Sequence, residues 1–241
     1  MNNFELAAKC KQIATEYKTL YVMGCFGAPM TMAAKERYRN NCSYNRQPSR
    51  QQLITQASAD TFGFDCVCLI KGVLWGWRGD ENALYGGATY ESNGVPDVGA
   101  DAMISLCRDV SSDFSAVEAG EALWLSGHIG IYIGGGLAVE CSPKWADKVQ
   151  ITAVENIGKN PLYNSRQWTK HGKLPWVLYL PMGDVDLDGM VASADARLAL
   201  RAAVKLEKLT DAQILAADMN GDGKVTAADA TEILKKVVSK K

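Results

Sequence analysis

Oxygen-bearing side chains recur twice at one spacing near the end of the chain. Asp184, Asp186, Asp188 and Asp195 in "DVDLDGMVASAD" return 34 residues later as Asp218, Asn220, Asp222 and Asp229 in "DMNGDGKVTAAD". A calcium loop of twelve residues places ligand side chains at positions 1, 3, 5 and 12, a backbone carbonyl at 7 and a glycine at 6 for the sharp turn. Position 7 is Met190 in the first copy and Lys224 in the second; position 6 is Gly189 and Gly223. A merely acidic, solvated turn would have to reproduce this spacing twice over, so two Ca2+ ions are expected.

A second chemistry needs a thiol and a base. The chain has two histidines and seven cysteines, with no CxxC pair among the latter, which disfavours a zinc ribbon or a redox motif. His171, in "TKHGKLP", reads as an exposed polar turn. His128 opens "HIGIYIGGGLAVECS", whose alternation puts Ile129, Ile131 and Ile133 on one face of a strand and His128 and Tyr132 on the other. The three glycines at 134–136 predict a hairpin with Leu137, Val139 and Cys141 returning on the apolar face. If Ile133 faces Leu137, Ile131 faces Val139 and Gly130 faces Glu140, so Glu140 lies diagonal to His128. A slip by one residue would bury Glu140 among isoleucines.

Cys66 and Cys68 stand in "FDCVCLIKGVLWGW", an apolar run read as a helix with Asp65 at its N-cap. Cys66 then lies in the first turn, where free backbone N–H groups and the helix dipole bias a thiol toward thiolate. Cys68 points to another side of the helix and reads as a small buried hydrophobe, so the two do not share a metal. Taken alone, a cysteine such as Cys66 is more often an inert core residue than a nucleophile, since free Cys is among the most buried residue types.

These residues need elements to hold them, and the composition supplies them. At 241 residues, 47% apolar and 22% charged, the chain affords a full core in one large domain or two smaller ones. A net charge of −1 gives no basic footprint for nucleic acid. No window reaches a membrane span, and the N-terminal residues read as amphipathic rather than as a secretion signal, so a soluble chain is expected. Each acidic loop is followed by a helical pattern, "ARLALRAAVKL" and "ATEILKKVV", and no helix of ordinary length leads into the first.

The duplicated "DG.V...DA..IL" frame, with Asp rather than Glu at position 12, resembles the type I dockerin family over residues 183–241. That resemblance implies two calcium ions, folding around them, and a cohesin module of a scaffold protein as partner. Loop positions 10 and 11, here Ser193 with Ala194 and Ala227 with Ala228, and the helix face that follows would touch the cohesin. Upstream, "YVMGCFG" at 21–27, "FDC" at 64–66 and "GEALWLSGHIGIYIGGG" at 120–136 together resemble the NlpC-like cell-wall peptidases, a branch of the papain-like cysteine peptidases.

That resemblance implies Cys66 as nucleophile, His128 as general base and acid, and Tyr21 as the tyrosine beside the thiol. The third polar member, usually His, Asn or Gln in that family, would here be Glu140; Val67 and Cys68 replace the usual Ser-Gly after the nucleophile. The implied reaction is cleavage of amide bonds in peptidoglycan stem peptides, outside the cell or at its surface.

The expected fold is α+β: a papain-like cysteine hydrolase over 1–180, then a small all-α calcium module over 183–241, joined by so short a stretch that little freedom between them is expected. An idle papain-like binder of wall peptides, an amidase and a protein-directed peptidase stand as alternatives. Trp75 and Trp124 read as core. The Gly-rich segment between Trp77 and Ala100 reads as a long loop, either a substrate wall or lid or plain decoration, and "KERYRNN" at 35–41 as a solvated face.

Overall fold

The computed structural model describes residues 1–239, so the last two residues of the expected 183–241 module lie outside it. Helix α1 (Asn3–Glu16) is closed by a reciprocal cap: Asn2 Oδ1 accepts from the Glu5 N–H and Glu5 Oε2 accepts from the Asn2 N–H, each at 2.8 Å. Strands β1 (Thr19–Tyr21) and β2 (Phe26–Pro29), helices α2 (Met32–Asn40) and α3 (Pro48–Gln56), and strand β3 (Phe62–Phe64) follow. The three strands form a small mixed sheet in the order β1-β3-β2, β1 parallel and β2 antiparallel to β3.

Helix α4 (Cys66–Leu74) leaves β3 directly, with Asp65 as N-cap accepting from the Cys68 N–H at 2.7 Å. All nine of its residues are buried, as its near-continuous apolar sequence requires; the one charge, Lys71, pairs with Asp97. Cys68 is buried as expected. The long segment before α5 (Ala100–Leu106) packs around the carbonyl end of α4: Asn93 Nδ2 donates to Leu74 O at 2.7 Å and Ser92 Oγ to Trp75 O at 3.1 Å. That helix end is opposite Cys66, so this part of the loop is a C-terminal cap for α4 and not a lid over the thiol.

Seven strands build the larger sheet: β4 (Arg108–Ser111), β5 (Ala122–Leu125), β6 (His128–Gly134), β7 (Leu137–Ser142), β8 (Lys148–Val154), β9 (Ser165–Arg166) and β10 (Lys170–Lys173). Their order is β4-β10-β5-β6-β7-β8-β9, antiparallel except for β8 with β9. Ile131 pairs with Val139, the register that alternation demands, but a bulge makes Gly134 and not Ile133 the partner of Leu137. Gly134, Gly135 and Gly136 all have positive φ, which a hairpin tip of this shape asks of them.

Ile129, Ile131, Ile133, Val139 and Cys141 face α1 and α4 in one core with Phe4, Leu6, Leu69 and Ile70. Each such aliphatic side chain, fully buried, stabilises the fold by about 1.5–3 kcal/mol. Tyr132, Ala138, Leu123 and Trp168 form a smaller cluster on the other face.

The C-terminal part is helical: α6 (Ser193–Ala203), α7 (Asp211–Ala217) and α8 (Ala227–Ser239) around Val185, Val191, Ala199, Leu209 and Ile233. The exit helices begin a few residues earlier than their apolar periodicity suggests, because loop positions 10 and 11 are already helical. Helix α7 is an addition to the sequence reading; Thr210 caps it through the Gln213 N–H at 3.3 Å. Ala212 and Ala216 of α7 enter the core of α1, and Gly183 N donates to Ala216 O at 2.8 Å, so the short joint is pinned on both sides.

Two further expectations are corrected. His171 is not an exposed turn residue: it lies buried on β10, its Nδ1 paired with the buried Glu121 and its Nε2 bonded to the Asp113 carbonyl at 2.9 Å. Trp124 is half-buried with its indole N–H on Asp101 at 2.8 Å, while Trp75, Trp77 and Trp168 are the buried tryptophans. All seven cysteines are unpaired.

Candidate functional site

Cys66 begins α4, and that helix packs against β6 and β7. The backbone N–H groups of Ile129, the residue after His128, and of Val67 and Cys66 at the helix start lie where they favour the charged form of the Cys66 sulfur. The fold therefore brings the thiol beside the start of the strand that carries the imidazole. Among the described residues no hydrogen bond joins the thiol to the imidazole directly.

Burial, with the Asp65 charge as a second cause, outweighs the three N–H groups and pushes the Cys66 thiol from 9.0 up to about 12. The bias toward thiolate expected from the helix terminus is thus overturned by desolvation. Cys66 exposes 8% of its surface, and three clefts, beside the glycines at 134–136, Gln12 and Asn156, are lined by neither it nor His128.

His128 and Glu140 meet as the hairpin register predicts, His128 Nε2 to Glu140 Oε2 at 2.7 Å. Gly130 allows it, since a Cβ there would sit 3.3 Å from Glu140 Cβ and 3.0 Å from the Trp168 ring. The bond takes Nε2 and leaves Nδ1 without a hydrogen-bond partner among the described residues. The Trp168 ring stacks on the imidazole, centroids 5.6 Å apart and planes within 10°.

Glu140 is fully buried and takes more partners than the sequence suggests. Oε1 accepts from Thr152 Oγ1 at 2.9 Å and Arg166 Nε at 2.7 Å, and Oε2 lies 2.6 Å from an Arg166 terminal nitrogen. Burial raises its pKa, but the bonds from His128 and Arg166 outweigh it and hold the carboxyl below its usual value. Arg166 in turn lies 4.8 Å from the Trp145 ring and 5.7 Å from that of Trp168. Sequence reasoning missed Thr152, Arg166 and Trp168. The last two stand two residues apart in "SRQW", a segment with too little apolar pattern to read as structure.

Tyr21 is buried at the end of β1, its hydroxyl 3.8 Å from Met23 Sδ. Burial raises its phenol, and the electrostatic influence of Cys66 adds to the rise.

The two acidic loops share one hydrogen-bond skeleton. Asp184 accepts from the N–H groups of Asp188 and Gly189 at 3.1 and 2.9 Å; Asp218 accepts from those of Asp222 and Gly223 at 3.1 and 2.8 Å. At position 12, Asp195 accepts from Val185 N and Ala192 N, and Asp229 from Met219 N and Thr226 N, so each carboxylate closes its loop. Oxygens of Asp184, Asp186 and Asp188 converge within 4.8 Å of one another; the second loop has the amide of Asn220 where the first has Asp186. Burial and then the neighbouring carboxylates raise Asp184 and Asp186, and burial with Asp222 raises Asp218. Converging hard oxygens that repel one another are the donor set that fits a calcium ion.

Residues 182–238 match the family model described as the type I dockerin domain. The chain thus ends in a type I dockerin, typically a calcium-binding module, which implies a cohesin on a scaffold as partner; dockerins occur in secreted cellulosomal proteins. No helix is long and apolar enough to cross a membrane among the described residues. No curated protein and no solved structure matches the chain.

Proposed function

We propose that residues 1–180 form a papain-like cysteine hydrolase that cuts amide bonds in peptidoglycan stem peptides and is carried on a cohesin scaffold by its dockerin, residues 183–241. The observation that carries the reading is the joint placement of Cys66 at the start of α4, beside the Ile129 N–H, and of His128 on Glu140 at 2.7 Å.

Because the resting thiol is neutral, attack and deprotonation belong to one step. His128 Nδ1 takes the Cys66 proton as the sulfur adds to the amide carbonyl, after a rotation that brings thiol and imidazole into contact. The N–H groups at the start of α4 hold the oxyanion, an effect worth about 10²–10³ in rate per donor. The imidazolium, oriented by Glu140, gives its proton to the leaving amine. His128 then deprotonates a water, which attacks the thioester; the acid leaves and the thiol is restored. Tyr21 lines the thiol's side of the site.

In the dockerin, one calcium ion would be held by Asp184, Asp186, Asp188, Asp195 and the Met190 carbonyl, and the other by Asp218, Asn220, Asp222, Asp229 and the Lys224 carbonyl. Calcium supplies charge neutralisation that lets the loops close. Mass spectrometry of muropeptides incubated with the intact chain tests the hydrolase and names the bond, separating an endopeptidase from an amidase; a denatured protein substrate separates a protein-directed peptidase.

One observation favours a second reading, an idle domain that only holds wall peptides: the thiol is neutral and has no hydrogen bond to the imidazole. Retention on peptidoglycan without product, unaffected by alkylation of Cys66, would decide for it.

A further inference from the structure

We propose that Arg166 is a positioning residue of this site: by forking across both oxygens of Glu140 it fixes the carboxylate that orients His128. The role rests on the hydrolase reading, but the geometry behind it does not. A carboxylate with no exposure is costly unless paired and fully hydrogen-bonded. Glu140 meets that requirement with four donors, two of them from one planar guanidinium at 2.7 and 2.6 Å. The neutral Thr152 hydroxyl can hold one oxygen; only Arg166 holds both and supplies the charge.

Arg166 is itself held. It stands on β9, a strand of two residues paired to β8, near the ring planes of Trp145 and Trp168. Trp168 is also the ring stacked on His128, so guanidinium and imidazole are located by one side chain as well as by one carboxylate. Turning either Glu140 oxygen away would break an Arg166 bond, and the imidazole therefore meets an acceptor in one orientation. With Nε2–H donating to Glu140, the neutral ring presents a lone pair at Nδ1, the form a base beside Cys66 requires.

The charged and titratable groups on the elements around the pair include Arg166 on β9, Cys66 and its neighbour Asp65 at the start of α4, Asp101 at the start of α5, and Lys144, which lies over the Trp145 ring that Arg166 also meets. The Asp101 carboxylate is engaged by the Trp124 indole and the Gly127 N–H, each at 2.8 Å. Arg166 is the cation bonded to both Glu140 oxygens, and removing a cation raises the proton affinity of the carboxylate it faces.

NMR of the full chain, with 13C-labelled glutamate carboxyls and 15N-labelled histidines, reads both consequences without any substrate. In the parent, neutral His128 is expected as a single tautomer protonated at Nε2. In Arg166→Gln the Glu140 carboxyl should titrate about one unit or more higher and the His128 tautomers should mix. In a Glu140→Gln background, Arg166→Gln should change the His128 tautomer no further. An unchanged Glu140 titration, an unmixed tautomer, or an equal effect in the Glu140→Gln background would overturn the proposal.

Should Arg166→Gln fail to fold, Arg166→Lys decides: it keeps the charge but cannot fork, so it should preserve most of the Glu140 titration yet mix the tautomers. A lysine variant matching the parent in both would overturn the role. If the spectra behave as expected and no muropeptide is cleaved, the hydrolase reading falls, and what stands is that Arg166 fixes Glu140 and through it the His128 tautomer.

Discussion

Glu140 Oε2 lies 2.7 Å from His128 Nε2 across the β6–β7 hairpin, with Gly130 opposite Glu140 leaving the space between them clear. The contact joins residues twelve apart in the chain, and it engages Nε2 and leaves Nδ1 as the imidazole nitrogen not bound to Glu140.

Glu140→Gln keeps the shape and removes the charge that holds the Nε2–H tautomer. Hydrolysis should fall by about 10²–10⁴ in kcat with KM little changed. Steady-state kinetics on a defined stem peptide would measure it, and a loss confined to KM would contradict the orienting role.

Burial raises the Cys66 thiol to about 12, so the fold favours its neutral form. Stability from this group is fully present below the ordinary thiol value and is lost as pH rises from there toward about 12; Cys10 and Cys25, also raised to about 12, act in the same direction. Alkylation of Cys66 by iodoacetamide, followed by peptide mapping, should keep accelerating above pH 9 in the absence of substrate. A plateau reached near neutral pH would instead reveal a resting thiolate–imidazolium pair.

The hairpin register and the Asp65 cap were legible because both follow from local rules: period-two alternation forbids a slip that buries Glu140, and an aspartate before an apolar run caps a helix. The twin loops were legible for the same reason, since their ligands are close in sequence. His171, Arg166 and Thr152 were not, because their partners, Glu121 just before β5 and Glu140 on β7, come from other parts of the chain, and no periodicity in "TKHGKLP" or "SRQW" marks the first two. Desolvation of Cys66 was also invisible, since it depends on how α4 packs against β6.

Removing His171 leaves Glu121 buried and unpaired, a defect that costs about 3 kcal/mol. His171→Ala should therefore lower Tm while leaving the per-molecule rate of Cys66-dependent hydrolysis near that of the parent. Lost activity in a folded His171→Ala chain would mean that the second histidine takes part in the chemistry.

Chelation should leave Asp184, Asp186 and Asp188 repelling one another within 4.8 Å and loosen the starts of α6 and α8. Circular dichroism should lose helical signal and cohesin binding should vanish, with both restored by calcium. At a calcium concentration about 100 times Kd, occupancy of one loop stabilises by about 2.7 kcal/mol. An identical spectrum and melt in chelator would contradict it.

The dockerin touches the first domain at a backbone contact as well as through α7. A Cβ on Gly135 would come within 2.7 Å of Gly221 O in the second loop, at a φ of +57° that also disfavours a side chain. Gly135→Ala should therefore loosen the module, seen as faster hydrogen exchange in α7 and at the hairpin tip. Unchanged exchange in both places would show the contact to be incidental.

The most direct measurement is liquid chromatography with mass spectrometry of muropeptides incubated with the intact chain and with Cys66→Ala. Cleavage of a stem-peptide amide by the intact chain, absent from the variant, is the predicted result. Product that persists in Cys66→Ala, or no product from the intact chain at any pH, would contradict the hydrolase account.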